Sequence, residues 1–237
     1  MNKPGFFDEY PSFFHTSATA AFPNRLNERY RACIEWNRPI ISGKRVVDIA
    51  SHDGRWSFAA IKAGASHVVG LEARDHLVKA AQSNLREYGV SENSFRFVLG
   101  DAFETIDRIE PRSVDTVLCL GFFYHVANHV LLLSKIARLK PQHIILDTAV
   151  AADHRSVVVF QKENPELESK AVRFDGNVQE TVLVGFPSLP AIELMMSNFG
   201  WRYEYYPWHG VGIRQWDHIE DYHDGTRVTL RARSAEA

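Results

Sequence analysis

Three acidic residues stand where short apolar runs end. Asp48 lies in Val46-Val47-Asp48-Ile49-Ala50, Glu72 closes Val68-Val69-Gly70-Leu71-Glu72, and Asp101 follows Val98-Leu99-Gly100. Carboxylates at the carboxyl ends of consecutive strands can accept hydrogen bonds from the hydroxyl and amino groups of a nucleoside, because an open parallel sheet binds ligands just outside those ends. The turn after the first run, Ala50-Ser51-His52-Asp53-Gly54, must bring its backbone close to such a ligand. Gly54 supplies the freedom that turn needs, and Ala50 and His52 stand at the other positions where glycine is usual. The phosphate fingerprint Gly-x-Gly-x-x-Gly is missing, so the pattern suits S-adenosylmethionine better than a dinucleotide.

On this reading Asp48 orders the turn and reaches the amino-acid end of the ligand through backbone or water. The backbone of Ala50, Ser51, His52 and Gly54 lines the ligand together with Trp56. Glu72, followed by Ala73 and Arg74, holds the ribose, and Asp101 accepts the adenine amino hydrogen with Ala102 and Phe103 flanking the ring. Leu120 and Gly121, at the end of the fourth run, complete the lining.

Transfer from a sulfonium is an in-line displacement in which alignment supplies much of the acceleration, and a base that removes a hydroxyl proton adds roughly 10²–10⁴-fold. His125 follows the fourth strand and Asp147 ends the fifth, so both are candidate bases. Tyr124 is placed to orient an acceptor, and Asp153 and His154 lie just beyond the fifth strand. A divalent cation is an open alternative, with Asp147, Asp153 and His154 as the group to hold it. His125 and His129 have the four-residue spacing of metal ligands but lack the Glu of a His-Glu-x-x-His motif. Candidate acceptor contacts are Tyr10, His15 and Arg25 upstream and Trp208 downstream, whose ring could stack on a sugar face.

The elements that must position these residues alternate. Strands are expected at 45–50, 67–72, 94–98, 115–120 and 143–148, with helices near 55–63, 75–88, 102–107 and 129–139. Asp75 and Asn128 are candidate N-caps, and Gly89 and Pro141 candidate stops. A helix from Pro187-Ser188-Leu189-Pro190 to Phe199, a strand at Trp201–Tyr206 and an alternating strand at Arg227–Ala232 bring the sheet to seven. Strands separated by helices imply a parallel sheet with helices on both faces. Residues 1–42 form an aromatic extension, helical from about Asn24 to Asn37. It packs on the domain or acts as a lid, to which Thr16, Arg29 and Tyr30 add polar tips. Residues 43–237 form the domain proper, with a polar insertion near 150–185 that includes Phe174-Asp175-Gly176-Asn177 and passes over the catalytic face.

At 45% apolar and 24% charged residues the 237-residue chain has the balance of a folded domain. A net charge of −2 gives no global footprint for nucleic acid. Cys33 and Cys119 do not make a disulfide framework, the N-terminus lacks a signal-like apolar core, and no apolar stretch is long enough for a bilayer. A cytoplasmic protein without membrane contact is expected, and the aromatic extension leaves a homodimer open.

These residues resemble the class I S-adenosylmethionine-dependent methyltransferases, a likeness that covers about 44–148 and extends through the final strand. It implies a Rossmann-like fold with a mixed seven-stranded sheet. His52, where that family has glycine, is a departure. Leu120-Gly121-Phe122-Phe123-Tyr124-His125 and Phe186-Pro187-Ser188 are similar to the carboxymethyl-uridine wobble tRNA methyltransferase branch, although its usual proline is replaced near Asn128-His129. Tyr10-Pro11, Pro23-Asn24-Arg25-Leu26-Asn27 and Asp48 to Phe58 resemble an actinobacterial set that includes mycobacterial sugar O-methyltransferases of methylmannose polysaccharide synthesis. That likeness implies O-methylation of a small saccharide. The rivals are a tRNA wobble-uridine modifier, a cofactor-binding protein without transfer activity and, less favoured, a dehydrogenase.

Overall fold

The expected apolar runs become the parallel half of a sheet: β1 (Arg45–Ile49), β2 (His67–Glu72), β3 (Phe95–Leu99), β4 (Thr116–Leu120) and β5 (His143–Ala149). In the computed structural model, which describes residues 4–16, 22–173 and 180–235, two strands outside this half pair with each other, β6 (Val158–Glu163) and β7 (Val182–Pro187). β8 (Trp201–Tyr205) and β9 (Arg227–Ser234) complete a seven-stranded sheet of order β3-β2-β1-β4-β5-β9-β8. β9 runs antiparallel between β5 and β8. The chain leaves β1 in one direction to β2 and β3 and returns on its other side as β4, so a crevice opens at the carboxyl ends of β1 and β4.

Both faces of the sheet are covered. Short helices α1 (Ser12–His15), α2 (Pro23–Tyr30) and α3 (Arg38–Ile41) precede β1, followed by α4 (Arg55–Lys62), α5 (Asp75–Glu87), α6 (Ala102–Asp107), α7 (His129–Arg138), α8 (Leu189–Asn198) and α9 (Glu220–His223). Alternation along the strands sends Val46, Leu118, Leu120 and Ile145 into one core with α4 and α5. Val47, Ile49, Val117, Cys119, Ile144 and Leu146 enter the other with α6, α7 and α8.

The aromatic extension belongs to the first of these cores. Phe7 and Phe13 are fully buried with Phe58 of α4, and each buried phenylalanine stabilises by about 2–3 kcal/mol relative to an exposed one. The expected helix over 24–37 is α2, started by Pro23 and continued as a π-helical turn over Arg31–Glu35. Buried Asn37 donates to the Ala32 and Cys33 carbonyls at its end (3.1 and 3.0 Å). Asn128 caps α7 through its bond from Leu131 N (3.1 Å). Asp75 is instead the first residue inside α5, after Arg74 at the cap position, and pairs with Lys79 one turn on.

The polar stretch 150–185 holds more regular structure than its composition suggests. β6 and β7 form a separate two-stranded sheet, and between them residues 168–172 run along the crevice; Phe174-Asp175-Gly176-Asn177 lie outside the described residues. Cys33 and Cys119 are buried free thiols. Among the described residues no helix is long and apolar enough to cross a membrane.

Asp48 is buried in the sheet, and its Oδ2 accepts a 2.7 Å bond from the Ser57 hydroxyl, tying β1 to α4. Burial raises its pKa from 3.8 to about 7. Between those values the unfolded chain releases this proton while the folded chain keeps it, so stability falls as pH rises, by at most about 1.4 kcal/mol per unit. Urea unfolding of the wild type should weaken from pH 5 to pH 7 relative to Asp48→Asn, and the two should run parallel above pH 8.

Candidate functional site

The turn from β1 into α4 gives the site its first wall. Ala50, His52 and Gly54 all have positive φ (55°, 55° and 80°), the region in which a side chain on the first two is strained. At Gly54 the requirement is also spatial, since a Cβ there would lie 2.9 Å from Ala81 Cβ. The turn is held from below. Asp53, fully buried, pairs with Arg55 (2.7 Å) and accepts from Thr16 of the extension (2.7 Å). Burial opposes the ionised form, but Arg55 and His52 outweigh it and Asp53 is lowered to about 2. Arg55 also donates to His52 Nδ1 (2.9 Å). A guanidinium cannot accept, so the imidazole proton sits on Nε2, which lies 3.4 Å from Glu168 Oε1.

Glu72 ends β2 with both carboxylate oxygens oriented by backbone amides, Oε2 by His52 N and Oε1 by Arg74 N (2.9 Å each). Each oxygen retains a lone pair for a hydroxyl donor. Asp101 caps α6 by accepting from Phe103 N (2.8 Å) through Oδ1, and its Oδ2 carries no protein hydrogen bond among the described residues. The Arg74 guanidinium donates to the carbonyls of Pro165, Leu167 and Lys170 (3.0, 3.0 and 3.1 Å), strapping the insertion over this end of the crevice.

The result is a cavity of about 540 Å³ at the carboxyl edge of the sheet, a size that takes a nucleoside-sized ligand. Of the residues expected to hold the cofactor, it is lined by Ala50, His52, Trp56, Glu72, Ala73, Arg74, Asp101, Ala102, Leu120 and Gly121. Asp48 stays buried within the sheet and does not itself line the cavity; Ser51 and Gly54 shape the turn from behind. Phe103 does not flank a ring in this cavity, because it turns into a neighbouring recess with Val126 and Leu131.

His125 and Tyr124 line the other end with Arg25, Arg29 and Arg227. His125 Nδ1 meets Glu163 Oε2 at 2.8 Å. Glu163 comes from the last position of β6 and is fixed further by Lys170 Nζ (3.2 Å) and Ala171 N (3.0 Å). Burial raises its pKa, but the bond and charge of His125 outweigh burial and bring it to about 2. An ionised carboxylate can only accept, so the Nδ1 proton points at Glu163 and Nε2 is left as the basic nitrogen. Nothing local in the sequence signals this pairing, because the partners lie 38 residues apart. His129 is no partner in metal binding: its ring packs on Phe123 (4.6 Å) and its Nε2 donates to the Gly185 carbonyl (3.1 Å).

Asp147 is not available as a base. Its Oδ1 accepts from Arg29 Nη2 (2.8 Å) and from Nε (2.9 Å) and Nη2 of Arg227, and its Oδ2 accepts from the Tyr222 and Thr229 hydroxyls (2.7 Å each). Five donors saturate a carboxylate that has about four lone-pair sites. Burial would raise its pKa, yet Arg227 and Arg29 hold it far below the usual range. The other expected residues are also placed elsewhere. His154 is 95% exposed and Asp153 is taken by Arg155 (2.7 Å), so neither joins Asp147 around a cation. Among the described residues no group of three or more His, Cys, Asp or Glu is arranged to hold a metal.

Of the expected acceptor contacts, Arg25 reaches the cavity, braced by a bidentate pair with Asp221 (2.8 Å each). Phe22 stacks on His218 (3.9 Å) beside it, so α2 and residues 217–221 form one roof. Tyr10 packs edge-on against Phe58 and Tyr88, and His15 is exposed outside the cavity. Trp208 is buried behind the site, stacked on Tyr222 (3.9 Å).

Sheet order, reversed β9 and a nucleoside-sized cavity at the switch point define the Rossmann-like methyltransferase fold. The chain belongs to the methyltransferase domain family, whose pattern residues 40–183 match. It is 35% identical over 87 residues, 36% of the chain, to a ribosomal protein L11 methyltransferase of Aliivibrio salmonicida. It is 26% identical over 189 residues, 76% of the chain, to a tRNA U34 carboxymethyltransferase of Pseudomonas fluorescens. These matches span 30% of the first protein and 53% of the second. Among solved structures, the N-terminal domain of EvdMO1 with S-adenosylhomocysteine and D-fucose has a TM-score of 0.62 at 20% identity, covering 89% of this chain and 82% of that one.

Asp147→Asn would leave two buried guanidiniums without a counter-charge, and urea unfolding should show a loss of about 3 kcal/mol. Tyr222→Phe removes one hydrogen bond to the same carboxylate and should cost about 1.5 kcal/mol.

Proposed function

We propose that this protein is an S-adenosylmethionine-dependent O-methyltransferase acting on a saccharide hydroxyl, with methylated mannoside precursors of methylmannose polysaccharide as the first acceptors to test. The observation that carries the reading is the part-buried His125–Glu163 pair on the cavity wall beyond Gly121. It leaves one imidazole nitrogen free to take a proton where an acceptor would lie.

The residues fit the cofactor. Glu72 offers two oriented oxygens to a ribose diol, Asp101 offers Oδ2 to an adenine amino group, and Leu71, Leu77 and Ala102 give apolar walls for the ring. When bound, S-adenosylmethionine supplies a methyl carbon on a sulfonium, which an acceptor oxygen takes as the carbon–sulfur bond breaks. His125 Nε2 takes the hydroxyl proton, Glu163 keeps the ring aligned and balances the imidazolium, and the roof of Phe22, Arg25 and His218 excludes water. The neighbour containing D-fucose supports a sugar acceptor. A tRNA acceptor is the second reading, favoured by the likeness to the tRNA U34 carboxymethyltransferase.

Calorimetric titration with S-adenosylhomocysteine should give micromolar binding that Glu72→Ala weakens at least tenfold, or about 1.4 kcal/mol. Absence of binding to the wild type would remove the assignment. With a radiolabelled methyl donor, His125→Ala should lower kcat by roughly 10²–10⁴-fold. Glu163→Gln should lower kcat by about tenfold and displace the pH–rate profile, with KM nearly unchanged. Methylation of unmodified tRNA, with binding that falls steeply as salt rises, would replace the saccharide reading.

A further inference from the structure

The acid that orients His125 is itself held by the strap of residues 165–172. His125 is one of three groups that bond Glu163; the other two, Lys170 Nζ (3.2 Å) and Ala171 N (3.0 Å), belong to the strap. Lys170 is 40% exposed, so water screens its pairing, whereas the bond from Ala171 is buried. The N–H of Ala171 shares one peptide plane with the carbonyl of Lys170. That carbonyl accepts from Arg74 Nη2 (3.1 Å), so a single peptide group has a cation at its oxygen and a carboxylate at its hydrogen. Both ends of the peptide dipole are matched by charge, and the bond at one end polarises the group for the bond at the other.

Arg74 reaches the strap from the opposite end of the cavity. Its own amide orients Glu72 Oε1 (2.9 Å), and its Nη2 spans the carbonyls of Pro165, Leu167 and Lys170. Nη2 has two hydrogens for these three acceptors, two of which belong to a turn closed by Lys170 N on the Leu167 carbonyl (3.0 Å). A rigid guanidinium shared among three carbonyls fixes the conformation of that turn, and with it the direction of the Ala171 N–H. We propose that Arg74 is a positioning residue for the base: through the Lys170–Ala171 peptide and Glu163 it keeps the His125 proton on Nδ1, leaving Nε2 to receive the acceptor's proton. This role rests on the methyltransferase reading and adds to it a residue from the ribose end of the cavity that no local pattern connects with His125.

Nitrogen-15 NMR of the imidazole reads the tautomer in ligand-free protein, with neither cofactor nor acceptor required. In the neutral ring, the wild type should show His125 as the Nδ1–H form, Glu163→Ala should show a mixture of both tautomers, and Arg74→Met should move toward that mixture. Were Arg74 merely structural, the tautomer in Arg74→Met would stay as in the wild type, and that result overturns the proposal. With saturating radiolabelled methyl donor, Arg74→Met should lower kcat by about three- to tenfold and displace the pH–rate profile in the same direction as Glu163→Ala. The double variant should then lose no more than Glu163→Ala alone, because both changes break one chain of bonds. Losses that multiply in the double variant overturn the chain. Should Arg74→Met not fold, amide exchange in the wild type decides: Ala171 N–H protected by about tenfold or more over an unstructured amide supports the proposal, and unprotected exchange overturns it. Failure of the methyltransferase reading shows separately, as wild-type protein that does not bind S-adenosylhomocysteine, and leaves the tautomer measurement to decide the positioning by itself.

Discussion

Asp147 is the residue on which the rest of the site depends. It lies near the carboxyl end of the fifth strand, fully buried, and three other elements of the chain are fastened to it. Arg29 brings α2, Arg227 and Thr229 bring the antiparallel strand β9, and Tyr222 brings α9. A carboxylate in such a place is costly unless its lone pairs are met, and here they are met by groups from three different elements. The arrangement therefore fixes the relative position of roof, floor and reversed strand. Trp208 extends it by one layer, since its ring supports Tyr222 from behind.

The nucleoside end uses a different device. Two non-glycine residues, Ala50 and His52, stand in left-handed backbone, at a cost of order 1–3 kcal/mol each. At His52 the side chain gives something in return: it accepts from Arg55 and turns its remaining N–H toward Glu168 on the insertion. The strap across the crevice is fastened by the three carbonyl bonds of Arg74. A glycine at position 52 would relieve the backbone and lose the bond from Arg55.

The pattern of the chain was most legible where physical signals are local. Alternating apolar runs, turn residues and caps such as Asn128 depend on near neighbours, so the strands of the main sheet, their order of chemistry and Glu72 and Asp101 at the strand ends were readable directly. The β6–β7 sheet was not, because Val-Val-Phe-Gln-Lys-Glu carries its polar half on an exposed edge and lacks the apolar run of a buried strand. Glu163 was missed for the same reason, as it is an ordinary acid in a polar stretch until β6 brings it to His125.

Sequence alone determined the fold class, the nucleoside-binding face and His125 as a base candidate, since these follow from periodicity and from residue types at strand ends. Only the tertiary structure decided which carboxylate serves which purpose. Asp147 and Glu163 are chemically alike in the sequence. One is enclosed by five donors and becomes scaffold, whereas the other accepts an imidazole proton at the cavity wall. The difference is made by long-range partners, because the environment that sets a carboxylate's role is assembled from residues far apart in the chain.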